Sequence, residues 1–165
     1  EDSSGNGFHI NMSVKSSDGN EYGDRFMAGV MEHIREMTAY LNPTEQSFVR
    51  LGKMKAPRYI AWSPENRSQL IRIPAAKGDF KRIELRSPDP GANPYIAYAL
   101  LIHAGIDGIK RNLTPIPPVN VDMHTAGNDV TSKLDTLPST LDEARRIASE
   151  SVWLKKILPE GFAIV

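Results

Sequence analysis

The chain contains no cysteine. That excludes a disulfide framework and any thiolate metal site, so a bound metal would have to use histidine or carboxylate. The same composition fits a reducing cytoplasm, which is the expected location. No apolar run reaches membrane-spanning length: the longest, Tyr95 to Ile106, is too short and is interrupted by His103. Charge of one sign is not in excess either. Twenty Lys and Arg balance twenty Asp and Glu, so a general affinity for nucleic acid or an anionic membrane surface is not expected.

What is present is enough for one domain with a real core: 165 residues, of which 40% are hydrophobic. The first residue is Glu1, directly before the first strand-like pattern, as a fragment of something longer would begin. Charge is unevenly spread. From Ser47 to Arg86 there are ten Lys or Arg against three acids, Glu65, Asp79 and Glu84. This cationic segment lacks regularly spaced aromatic stacking partners, which argues against single-stranded nucleic acid as its ligand.

Phe8, Ile10, Met12 and Val14 alternate with His9, Asn11 and Ser13, the pattern of a half-buried strand with one polar face. Asp24 is the expected cap of a helix running to about Leu41 and ended by Asn42-Pro43, with His33 structural in role. Short strands are expected around Arg58 to Trp62, Gln69 to Ile73 and Lys81 to Arg86, forming an antiparallel set. Asn93-Pro94 opens a helix that is apolar nearly all round, and its predicted place is the buried centre, with His103 in the core. A proline-rich connector, 114–138, leads to a last helix from the capping box at Thr140 and Glu143 to about Leu158. The expected class is α+β, an antiparallel sheet with helices packed on one side.

Two strands therefore carry polar rows: His9, Asn11 and Ser13 on one, Arg82, Glu84 and Arg86 on the other. A solvated charge ladder is the simplest use of such rows. If they converge, an imidazole and a carboxylate become suitable ligands for a divalent cation, and the guanidiniums suit phosphate or carboxylate oxygens. Arg50, Arg67 and Arg72 add cations from the same segment.

The wording of the segments goes further. GNGFHINMS at Gly5 to Ser13, NPTEQSFVRL at Asn42 to Leu51, APRYIAWSPENRSQLIRIP at Ala56 to Pro74 and KRIELRSPDPGANPYIAYALLIHAGIDGIKRNL at Lys81 to Leu113 occur in that order, with LPSTLDEA at Leu137 to Ala144 after them. Across most of its length the chain resembles the C-terminal part of the catalytic domain of type I glutamine synthetase. The resemblance implies an ATP-dependent ligase joining glutamate to ammonia through γ-glutamyl phosphate, with Mg²⁺ or Mn²⁺ ions, in a homo-oligomer whose sites are shared between subunits. Residue by residue, it implies that His9 and Glu84 are metal ligands and that Arg67 and Arg72 contact phosphate. Arg50 and Arg86 fall at arginines around the substrate carboxylate and the transferred phosphate. Arg82 and Ser13 fall on the nucleotide side, and Gly5 at a backbone contact to the substrate amino group.

Three positions depart from the family pattern. Asn11 stands where a second histidine contacts nucleotide phosphate, and asparagine still donates a hydrogen bond. Ser4 replaces an asparagine of the glutamate loop. Lys55 occupies the place of a flap glutamate that shields the intermediate and binds ammonium, and a cation there is unfavourable for ammonium by Coulomb's law. Larger amines are thus an alternative acceptor, and a non-catalytic anion-binding relative is a second alternative. The N-terminal domain and the first half of the catalytic domain, with the remaining metal carboxylates, are expected to lie outside residues 1–165, and the chain by itself is expected to be inactive.

Overall fold

A computed structural model describes residues 6–17, 19–75, 82–160 and 162. Among the described residues four short strands form one sheet: β1 (Ile10–Met12), β2 (Trp62–Pro64), β3 (Ile71–Ile73) and β4 (Ile83–Leu85), in the order β1-β4-β3-β2. β4 pairs antiparallel with both β1 and β3. The β2–β3 pair is parallel, which corrects the expectation of a wholly antiparallel set. Its chain turns back through Glu65, whose φ of 65° lies in the left-handed region, and the 66–68 turn before re-entering alongside.

Register sorts the side chains by chemistry. Ile10, Leu85, Ile71 and Trp62 lie opposite one another across the four strands, and Asn11, Glu84, Arg72 and Ser63 do so one position further on. Because side chains alternate, one sheet face is apolar and the other is a polar row. The apolar residues Ile10, Ile71, Ile83 and Leu85 join a core cluster with the helices.

The longest helix, α1 (Gly23–Leu41), supplies Met27, Val30, Ile34, Met37 and Leu41 to that core at helical spacing. It begins one residue before the expected cap. Tyr22 is the N-cap residue, and Asp24 lies in the first turn, where a carboxylate favours the helix dipole instead. A further helix, α2 (Glu45–Arg50), was not foreseen; Thr44 and Ser47 cap it reciprocally. α3 (Pro94–Lys110) starts where expected, with Asn93 Oδ1 accepting from the amides of Tyr95 and Ile96.

α3 crosses α1 at very close range. A Cβ on Gly29 would lie 2.1 Å from the Ala104 carbonyl oxygen, and one on Gly108 would lie 2.2 Å from the Arg25 carbonyl oxygen, so only glycine permits the approach. Among the described residues, only one face of α3 is covered. Tyr95, Tyr98, Ile102 and Ile106 are exposed, as is His103, so neither the buried central helix nor the core histidine is observed. Apolar composition all round did not reveal which face α1 would occupy.

The connector contains a one-turn helix, α4 (Asn128–Thr131), and is stitched to the segment before β2 by the Tyr59–Thr136 bridge. α5 (Leu141–Glu150) is capped by Thr140, whose hydroxyl accepts from the Glu143 amide. The expected single last helix is two. Ser151 ends α5 and caps α6 (Val152–Ile157), its hydroxyl accepting from the Leu154 amide at 2.9 Å and donating to Glu36 of α1. Among the described residues no helix is long and apolar enough to cross a membrane.

Candidate functional site

The polar face of the sheet brings the two predicted rows together. Glu84, on the central strand β4, is the hub. Arg72 Nη1 donates to its Oε2 at 2.8 Å from β3, and Arg86 Nη1 to its Oε1 at 3.0 Å from just past the end of β4. His9, just before β1, places Nδ1 3.2 Å from Glu84 Oε1. Burial alone would raise the carboxyl pKa, but the Arg72 hydrogen bond and the charges of Arg86 and Arg72 hold it below the ordinary carboxylate value. Glu84 is therefore an anion at neutral pH.

His9 is shifted the other way. Partial burial and the adjacent Arg86 guanidinium lower its pKa against the pull of Glu84, keeping the imidazole neutral. Nδ1 lies 3.4 Å from Arg86 Nη1 and faces the Glu84 carboxylate oxygen as well. The side chain remains 36% exposed. A neutral imidazole beside a charged carboxylate is the donor chemistry of a divalent cation site. The pair fits as part of such a site. Among the described residues no group of three or more metal-ligating side chains completes it.

The arginines divide by their anchoring. Arg86 is 3% exposed and fully engaged: Nε donates to the Arg67 carbonyl at 2.9 Å and Nη2 approaches the Lys55 carbonyl at 3.5 Å. It ties β4 to the 52–56 loop and to the 65–68 turn. Arg72 is held by the Glu65 carbonyl at 2.9 Å as well as by Glu84. Arg67 and Arg82 are exposed, and Arg82 Nε donates to Asn11 Oδ1 at 2.9 Å. Ser13 is exposed beyond the end of β1, and Gly5 lies outside the described residues.

Arg50 stands apart from the Glu84 hub, on α2. Its Nε donates to Asp89 Oδ2 at 3.2 Å, and its Nη2 to Asn42 Oδ1 at 3.0 Å and to the Ser87 carbonyl. It lies near enough to His9 for its charge to depress the imidazole further. Asn42 and Asp89 were missed as site residues because each also reads as ordinary punctuation, Asn42-Pro43 as a helix stop and Asp89 in a Pro-Asp-Pro-Gly turn. A cavity of about 680 Å³ lies elsewhere, around His33, Glu36, Asp107 and Trp153, whose titratable groups already pair with one another.

A mixed sheet with an anionic hub, a neutral imidazole and several fixed guanidiniums on one face defines a site suited to phosphorylated or carboxylate ligands together with a cation. The model of the glutamine synthetase catalytic domain matches residues 1–164, and the chain belongs to that family. It is 40% identical to the glutamine synthetases of Methanosarcina mazei and Clostridium saccharobutylicum, over 94% and 93% of this chain and 38% of each relative. The chain thus spans well under half the length of the relatives it matches. Two solved structures are similar in fold, a GmaS/ADP complex (TM-score 0.82) and GmaS without ligand (TM-score 0.83). Each is 31% identical, and they cover 94% and 97% of this chain and 39% of the GmaS chain.

Proposed function

We propose that this chain is the C-terminal part of the catalytic domain of a type I glutamine synthetase-like ligase, which couples ATP cleavage to amide formation on glutamate. The observation that supports this best is the convergence of His9, Glu84, Arg72 and Arg86 on one sheet face. In the proposed reaction the γ-carboxylate oxygen of glutamate attacks the terminal phosphorus of ATP, ADP leaves, and ammonia then displaces phosphate from the acyl carbon. A divalent cation, when bound, would neutralise phosphoryl charge, and His9 and Glu84 would help hold it. Arg67, Arg72 and Arg82 serve the nucleotide phosphates, with Asn11 and Ser13 beside them. Arg50 and Arg86 serve the substrate carboxylate and the transferred phosphate, Gly5 the substrate amino group, and Arg86 also fixes Glu84 and the two loops that border the site.

Homology with 40% identical glutamine synthetases supports ammonia as acceptor. Lys55 supports a larger amine. Its carbonyl is bound to the buried Arg86, which anchors a cationic residue beside the site. In either case we infer a longer, homo-oligomeric enzyme whose other segments supply the missing carboxylates. The test is glutamate-dependent phosphate release from ATP by the longer protein, with ammonia and then a series of alkylamines as acceptors. Turnover with one acceptor class decides between the two. No phosphate release with any acceptor, from protein that binds nucleotide, would point to a non-catalytic relative.

A further inference from the structure

Arg50 is held by one edge of its guanidinium. Nε faces Asp89 Oδ2, Nη2 faces Asn42 Oδ1 and the Ser87 carbonyl, and no bond among the described residues falls on Nη1. A guanidinium is planar with five N–H donors, so fixing Nε and Nη2 fixes where Nη1 points. The clamp joins three elements. Arg50 ends α2, Asn42 is the C-cap of α1, and Ser87 and Asp89 lie between β4 and α3. That last segment is itself pinned, since the Asp89 amide donates to the Leu41 carbonyl and the Phe8 amide to the Pro88 carbonyl.

Asn42 shows what the clamp is for. It is 0% exposed, and its Nδ2 has no partner among the described residues, as is also true of the Ser87 hydroxyl. The Asn42 backbone N–H caps α1 on the Thr38 carbonyl, which leaves the side-chain Oδ1 to accept from Arg50 Nη2 at 3.0 Å.

We propose that Asn42 and Asp89 are positioning residues that clamp Arg50 so that Nη1 meets the carboxylate of the amino-acid substrate. This rests on the reading of Arg50 as the substrate-carboxylate arginine. The variants separate positioning from packing. Asn42→Leu removes the acceptor at similar size, and Asn42→Asp keeps an acceptor in place. Asp89→Asn leaves an oxygen for the Gly91 amide, which Oδ1 now binds at 2.8 Å, while setting N–H against N–H at Arg50.

In the longer ligase that carries this chain, Asn42→Leu and Asp89→Asn are each expected to raise the glutamate KM about tenfold, with the ATP KM within about twofold of wild type. Asn42→Asp should stay near wild type. Asp89→Asn added to Arg50→Ala should change nothing more, because a residue acting through Arg50 has nothing left to act on. Unchanged glutamate KM in both single variants, with a raised value in Arg50→Ala, overturns the clamp and leaves the Arg50 reading standing. An unchanged value in Arg50→Ala overturns both. If a variant does not fold, the wild-type 165-residue chain still answers. The Arg50 Nε–H should exchange with solvent more slowly than that of the exposed Arg67, and equal exchange refutes the clamp.

Discussion

Arg86 is the most constrained cation of the molecule's polar face, and its worth lies in what its removal would strand. Glu84 is buried, and with Arg86 gone it keeps Arg72 but loses the guanidinium on Oε1. Breaking a buried pair from one side costs about 3–5 kcal/mol when the remaining charge is left uncompensated, and Arg72 compensates part of it here. Arg86→Ala should therefore lower urea stability by roughly 3 kcal/mol, whereas Arg72→Ala, on a more exposed partner, should cost less. Arg86→Lys should not restore it. A single ammonium cannot reach Glu84, the Arg67 carbonyl and the Lys55 carbonyl at once.

At the scale of elements, the α1–α3 crossing and the α5–α6 break are the sharpest features. Gly108→Ala would force a methyl against the Arg25 carbonyl and the Gly29 backbone, neither of which is a flexible side chain. The helices would have to part. The expected loss is at least about 2 kcal/mol, visible as a lowered thermal midpoint, even though alanine is the better helix former. Ser151→Ala removes the cap of α6 and the hydroxyl that binds Glu36. A loss of about 1–2 kcal/mol is expected, and it should appear first as faster amide exchange in 152–157.

His33 links three elements of the whole molecule. It lies between Glu36, 2.5 Å from Nδ1, and Asp107, 2.9 Å from Nε2, and stacks on Trp153 with ring centroids 4.0 Å apart. Burial would lower its pKa, but hydrogen bonds and charge from Glu36 and Asp107 outweigh this and raise it above 6.5. Glu36, though burial opposes it, is held below 4.5 by His33 and Ser151. A raised imidazole pKa stabilises the fold fully below 6.5 and ceases to do so as pH rises through the folded-state value. The lowered carboxyl adds stability above 4.5 that is lost on acidification. The cluster should thus stabilise most between these two values. In thermal melts, the advantage of wild type over His33→Gln should be largest there and shrink toward alkaline pH; an advantage independent of pH would refute the charged histidine.

The same scale governs activity. Orienting substrates can supply on the order of 7–11 kcal/mol of a barrier, and under the proposed function His9 and Glu84 by themselves are too few ligands to align ATP and glutamate. The 165-residue chain should therefore release no phosphate from ATP in the presence of glutamate, ammonia and Mn²⁺. Turnover by this chain alone would show that the catalytic groups all reside within it.

By itself the sequence determined the chemistry of each face. Period-two alternation at 8–14 and 82–86 placed His9, Asn11, Glu84 and Arg86 on polar rows, and the order of motifs identified the family. Local chemistry also marked the α3 and α5 starts, since Asn93 and Thr140 cap them through their own side chains. Tertiary structure alone decided the rest, for a physical reason common to every case: the partner is distant in sequence. Asn11 meets Glu84 only once β1 selects β4, and β3 inserts Arg72 beside β4 rather than β2 doing so. α3 was apolar all round, so only docking on α1 could choose its buried face. Ser151, between α5 and α6, also reaches Glu36 of α1 with its hydroxyl, and Arg50 is held by Asn42 and Asp89, residues that locally read only as a helix stop and a turn.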